Sequence, residues 1–204
     1  AVMRPRVWLK SGASWGRVRA PRFTAVGIGL GAVALGVATY GRNQVYRSEL
    51  TLWAHTAAEA PDNPRARYNH GLALAAAGRT EEALREFGHA IEVQPNHAFA
   101  RFELGKAALL AGRWPEAAAW FETVVQIDPA YLDARLNLAQ ALVRSGRPAD
   151  GIGHYQRALA DHPDREEIRP LLATAYRVLG QAQMAGDPVE AEKSLREALR
   201  LGPA

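Results

Sequence analysis

From residue 64 onward, apolar and small residues return at helical spacing in short blocks, and each block is cut by glycine or proline. Counting Pro64 as position 1, the first block carries Gly71 at position 8 and stops at Gly78, position 15. The next carries Ala83, Phe87 and Ala90 at positions 20, 24 and 27 and stops at Pro95, position 32. Steps of three and four put such residues on one stripe of an α-helix, so each block predicts an amphipathic helix with its apolar stripe buried. Glycine after the first block predicts a left-handed cap, and proline closes the second. The pattern then starts again 34 residues later.

Residues 98–131 place Leu104, Gly105, Gly112, Ala117, Phe121, Val124 and Pro129 at positions 7, 8, 15, 20, 24, 27 and 32. Residues 132–165 place Leu138, Ala139, Gly146, Gly151, Tyr155, Ala158 and Pro163 there. A fourth stretch, 166–204, has Leu172, Ala173 and Tyr176, then Gly186, Ala191, Leu195, Ala198 and Pro203, with its last proline six residues late. Extra residues around 180–185 most simply lengthen its first helix. Ahead of the first repeat, Trp53, Thr56 and Pro61 fit a second helix alone. This set of recurring residues resembles the tetratricopeptide repeat, a helix-turn-helix unit. The resemblance implies an all-α solenoid of four repeats (64–97, 98–131, 132–165 and 166–204), preceded by a linker and unpaired repeat-like helix at 42–63. Small residues at 8, 20 and 27 let paired helices approach, the aromatic at 24 fills space between neighbouring repeats, and stacking supplies the core. Gly151 and Gly153 break the pattern, and each is expected to cost its helix about 1 kcal/mol relative to alanine.

A different pattern occupies residues 23–41, an uncharged run of 19 residues that is apolar or small on every face. As a helix it reaches about 28 Å, close to the hydrocarbon thickness of a bilayer. Residues 1–48 carry eight bases and no acid, six of the bases before the run. The positive-inside rule then makes residues 1–22 a basic cytoplasmic segment, 23–41 a transmembrane helix, and the repeats outward-facing, on the periplasmic or lumenal side. Gly27 and Gly31 in a GxxxG arrangement would let neighbouring membrane helices pack closely. A cleaved leader ending near Ala32-Val33-Ala34 and a buried soluble helix are the alternatives. The RNQVYRSELTLW run at 42–53 resembles the junction in membrane O-mannosyltransferase-like proteins with C-terminal repeats, which would place a catalytic part upstream of this chain.

Net charge changes the picture only once it is placed. The whole chain is +4, but residues 49–204 hold all 21 acids against 17 bases and are −4, which argues against a nucleic-acid face. With no cysteine there is no disulfide, thiolate metal site or cysteine nucleophile. The six histidines lack metal-ligand spacing, and no phosphate loop or nucleophile elbow is present, so neither a metal, a cofactor nor catalysis is expected.

The remaining chemistry lies on the first helix of each repeat. Positions 2, 5, 9 and 12 point away from the partner helix. The resemblance implies that this side lines a concave groove for an extended peptide. Candidates at these positions are Tyr68, Phe99 and Phe102 as apolar anchors, with Lys106 and Gln140 as orienting polar groups; Asn69 and Asn137, at position 6, resemble the asparagines with which some members of the family hold a ligand backbone. The bland alternative for the aromatics is packing between adjacent first helices. Two functions remain open: a membrane-anchored scaffold binding a protein or peptide through the groove, and the acceptor-recruiting tail of a polytopic membrane glycosyltransferase.

Overall fold

A computed structural model describes residues 48–202 and, ahead of them, Val37. The basic segment and the apolar run therefore lie, but for Val37, outside the described residues. No helix among the described residues is long and apolar enough to cross a membrane.

The described residues 48–202 lie in one compact unit. Nine helices follow one another in the described part: α1 (Glu49–Glu59), α2 (Pro64–Ala76), α3 (Thr80–Val93), α4 (Ala98–Leu110), α5 (Trp114–Ile127), α6 (Leu132–Arg144), α7 (Pro148–Asp161), α8 (Ile168–Gln183) and α9 (Pro188–Leu201). Each helix packs on the one before and the one after it, and no strand occurs among the described residues. The chain is thus an all-α solenoid of paired helices, with α1 stacked on the first pair.

Local chemistry sets the boundaries. Asn63 caps α2, its Oδ1 accepting from the amides of Arg65 and Ala66. Asp187 caps α9 through Glu190 N–H at 3.1 Å, with Pro188 at the first helical position. The first helices of the first three repeats end at Gly78, Gly112 and Gly146, whose φ angles of 76°, 71° and 84° only glycine adopts without strain. The fourth repeat departs from this scheme. Gly186 is not among the positive-φ glycines, and α8 has 16 residues against 13 in α2, α4 and α6.

The core consists of three buried clusters, each shared by adjacent repeats. Phe87, Leu74 and Ala83 of the first repeat join Ala100 of the second. Phe121 and Ala117 join Leu138 and Leu142 of the third. Tyr155 and Ile152 join Ile168 and Leu172 of the fourth. The aromatic at position 24 also has a partner in its own repeat. A Cβ on Gly71 would lie 2.6 Å from Phe87, and one on Gly105 would lie 2.7 Å from Phe121. Glycine at position 8 is therefore the floor on which the ring rests, and the ring does more than fill space between repeats.

One reading of the third repeat, the one at Gly151, needs correcting. A Cβ on Gly151 would meet the Ala139 carbonyl oxygen at 2.7 Å and Val143 Cγ2 at 2.7 Å. The missing side chain lets α7 press on α6, so the helix-propensity cost is set against closer packing. Gly153 is exposed with nothing within 4 Å, and only there does the plain propensity penalty apply.

Candidate functional site

The first helices bring side chains of neighbouring repeats together along one face. Tyr68 on α2 lies 6.1 Å from Phe99 on α4, ring centre to ring centre, and Phe99 lies 5.9 Å from Tyr131, the residue before α6. Tyr131 in turn stacks on Phe102 at 5.0 Å, with 26° between the planes. His97, the residue before α4, completes the row at 5.2 Å from Tyr68. The result is a continuous aromatic strip along the first two repeats, reaching the start of α6.

Its members differ in exposure. Phe99 is 56% exposed and available to a ligand. Phe102 is half-buried and rests against Phe121, 5.6 Å away in the second core cluster. The packing alternative thus describes much of Phe102, while Phe99 and the edges of Tyr68 and Tyr131 form the open surface. Tyr68, Asn69 and Phe99 line one cleft of about 560 Å³ with Arg65, Asn96 and His97. Aromatic walls with an amide and a guanidinium at the rim suit an apolar or aromatic side chain followed by peptide backbone.

The polar candidates separate into two groups. Lys106 is already engaged: its ammonium is 2.8 Å from Glu103 and 5.5 Å above the Phe102 ring. It reinforces the strip more than it reaches outward. Asn69, Asn137 and Gln140 are half-buried, and their side chains make no hydrogen bond within the described residues, leaving their donors and acceptors free for a ligand backbone. Asn69 borders the cleft; Asn137 and Gln140 lie on α6, beyond its lining.

His97 and Tyr131 were not among the candidates read from the sequence. Both occupy position 34, in the turn before a first helix, whereas every candidate read from the sequence lies within such a helix. A large ring at that position in two successive repeats was the available signal. His97 also caps α4, its Nδ1 accepting from Ala100 N–H at 3.2 Å. Burial pushes its pKa below the ordinary imidazole value, against a raising backbone hydrogen bond. The Tyr68 phenol is pushed up by burial first and by Glu103 and Tyr131 next. Burial is also the main cause at Tyr131, with Asp133, Glu103 and Asp128 adding to it. Both phenols remain protonated donors.

No cluster of histidine and carboxylate side chains able to hold a metal ion occurs among the described residues. His70, Glu86 and Arg67 do come together between α2 and α3. Arg67 bonds Glu86 at 3.1 Å, and His70 Nδ1 lies 3.3 Å from the other oxygen without hydrogen-bond alignment. This is an interhelical polar cluster at position 7, where the second and third repeats carry Leu104 and Leu138.

Comparison with known proteins adds the family. Models described as tetratricopeptide repeat match residues 50–90 and 68–131, and a second such model matches 108–175. A comparison with curated protein sequences gave no match. Among solved structures, MamA 41-end from Desulfovibrio magneticus RS-1 is 23% identical with a TM-score of 0.58, covering 74% of this chain and 82% of MamA. YrrB, described as a TPR protein with an unusual peptide-binding site, is 18% identical with a TM-score of 0.56, covering 73% and 91%. These likenesses concern the fold and rest on the repeats; the resemblance of residues 42–53 to a mannosyltransferase junction gains no support from them. With repeat matches running from residue 50 to residue 175, the chain belongs to the tetratricopeptide repeat family.

Proposed function

We propose that this protein is a non-catalytic scaffold that binds an extended peptide segment of another protein along the face of its first helices. The observation that carries this reading is the aromatic strip from Tyr68 to Tyr131, with Phe99 more than half exposed at its centre and the unbonded amide of Asn69 beside it. An aromatic ring held more than half in the open adds little to a solenoid's own stability beyond its edge contacts, and it supplies apolar area to a ligand at low entropic cost. The printed description of YrrB as peptide-binding agrees with this use of the fold.

The proposal includes anchoring by residues 23–41 with the repeats outward, supported by the charge asymmetry around that run. A reporter active only in the cytoplasm, fused after Ala204, is expected to stay silent; strong signal there removes the anchored topology and leaves peptide binding untouched.

Peptide binding is tested by selecting displayed random peptides on the purified chain and titrating the winners. Selected sequences are expected to share an aromatic or large apolar residue, and Phe99→Ala should weaken them about tenfold or more, as for an interface anchor. Selection of no sequence above background, or winners indifferent to Phe99 and Tyr68, refutes the reading.

A further inference from the structure

The last of the described helices, α9, carries a stripe with no partner among the described residues, and its sequence is complementary to itself. In the first three repeats, positions 21 and 28 of the second helix face the next repeat and are apolar: Leu84 and Ile91, Ala118 and Val125, Ile152 and Leu159. In α9 the corresponding residues are Glu192 and Leu199, and Leu199 is 80% exposed. The stripe continues with Arg196 and with Val189, which is 63% exposed. A surface depression of about 310 Å³ runs along it, lined by Leu195, Leu199, Glu192 and Arg196 among others. About 100° round α9 from the stripe lies a separate polar face, closed by the pairs Lys193–Glu190 and Arg200–Glu197.

A repeat stacked here would bury the Glu192–Arg196 pair against the apolar side of an incoming first helix, which is costly even for a paired charge. A second copy of the stripe instead sets opposite charges against both. Val189 and Leu199 lie five residues either side of position 194, and Glu192 and Arg196 lie two residues either side. Two antiparallel copies of α9 related by a two-fold axis at that level place Val189 against Leu199 of the second copy and Glu192 against its Arg196. Within one chain Glu192 and Arg196 already pair at 2.6 Å, so the two helices would form a closed ring of four alternating charges between apolar ends. Such a patch meets the requirement of an isologous interface, in which each residue finds its complement on the same surface of the other subunit.

We propose that α9 is a homodimer interface, with a second copy of this chain as its occupant. The inference does not depend on the peptide-binding face. Sedimentation equilibrium of the full chain in one neutral detergent tests it. The unaltered chain is expected to dimerise. Glu192→Arg makes the central pair wholly basic and Arg196→Glu makes it wholly acidic, so each variant alone should dissociate, its Kd rising by about a hundredfold or more through like-charge contact. An equimolar mixture of the two variants restores opposite charges and should recover the dimer. Both side chains are more than 60% exposed, so helicity by circular dichroism should be unchanged. Leu199→Ser, which alters no charge, should weaken the dimer on its own and serves should either charge variant misfold. A monomeric unaltered chain, single variants that dimerise as it does, or a mixture that stays monomeric overturns the proposal.

Discussion

At the scale of single residues, exposure separates the aromatics that hold the molecule together from those that face outward. Phe87 is buried over Gly71, and Phe87→Ala is expected to cost about 3 to 5 kcal/mol in stability. Phe102→Ala, at a half-buried ring leaning on Phe121, should cost about 2 kcal/mol, while Phe99→Ala should stay within about 0.5 kcal/mol. Urea unfolding of the three variants would expose a wrong order, and an effect at Phe99 as large as at Phe87 would make that ring core. The two glycines of α7 give opposite expectations. Gly153→Ala should stabilise by up to about 1 kcal/mol, and Gly151→Ala should destabilise because the Ala139 carbonyl, being backbone, cannot move aside cheaply. The identity of both glycines was legible in the sequence. Their difference was not, because helix propensity contains no information about the atom facing a missing Cβ.

At the scale of elements, two devices fix how one helix pair meets the next. Arg67 donates to the Pro61 carbonyl at 3.1 Å, Arg101 to Pro95 at 2.8 Å, and Arg135 to Pro129. Each arginine is at position 4 and each proline at position 32 of the stretch before, so one side chain ties α2, α4 and α6 each to the preceding turn. Arg101 also lies 5.7 Å over the Trp120 ring, and Arg101→Ala is expected to cost about 1 to 2 kcal/mol, more than an ordinary surface change. The prolines were read as stop signals, which they are, but a carbonyl acceptor leaves no trace in a hydrophobic pattern. The second device is the His97 cap on α4. Its Nδ1 must be unprotonated to accept from Ala100, and burial already depresses its pKa. The unfolded chain therefore binds the proton more readily than the folded one, and stability is lost as pH falls through the ordinary imidazole value toward the lower folded one. His97→Asn keeps a capping acceptor and removes the titration. The melting temperature of the unaltered chain should drop more than that of the variant between about pH 7 and about pH 5; parallel curves would show that the imidazole does not control the helix.

At the scale of the molecule, the absence of a central core decides how the protein comes apart. The period of 34 made the solenoid legible because every repeat reuses the same small and aromatic positions. The candidate face was legible only in part, since its strip depends on His97 and Tyr131, turn residues whose placement follows from how repeats stack. Because each buried cluster belongs to one boundary, a large lesion in one cluster should not spread evenly. Phe121 is fully buried at the boundary between the second and third repeats, and Phe121→Ala should cost about 3 to 5 kcal/mol there. The array would then divide into two segments, one held by the cluster around Phe87 and the other by the cluster around Tyr155. Native-state hydrogen exchange on this variant should show protection falling most in α5 and α6, while α2 and α3 on one side and α8 and α9 on the other keep more of theirs. An equal loss in all nine helices would mean that the repeats unfold as one cooperative body and that the boundaries carry more coupling than their separate clusters imply.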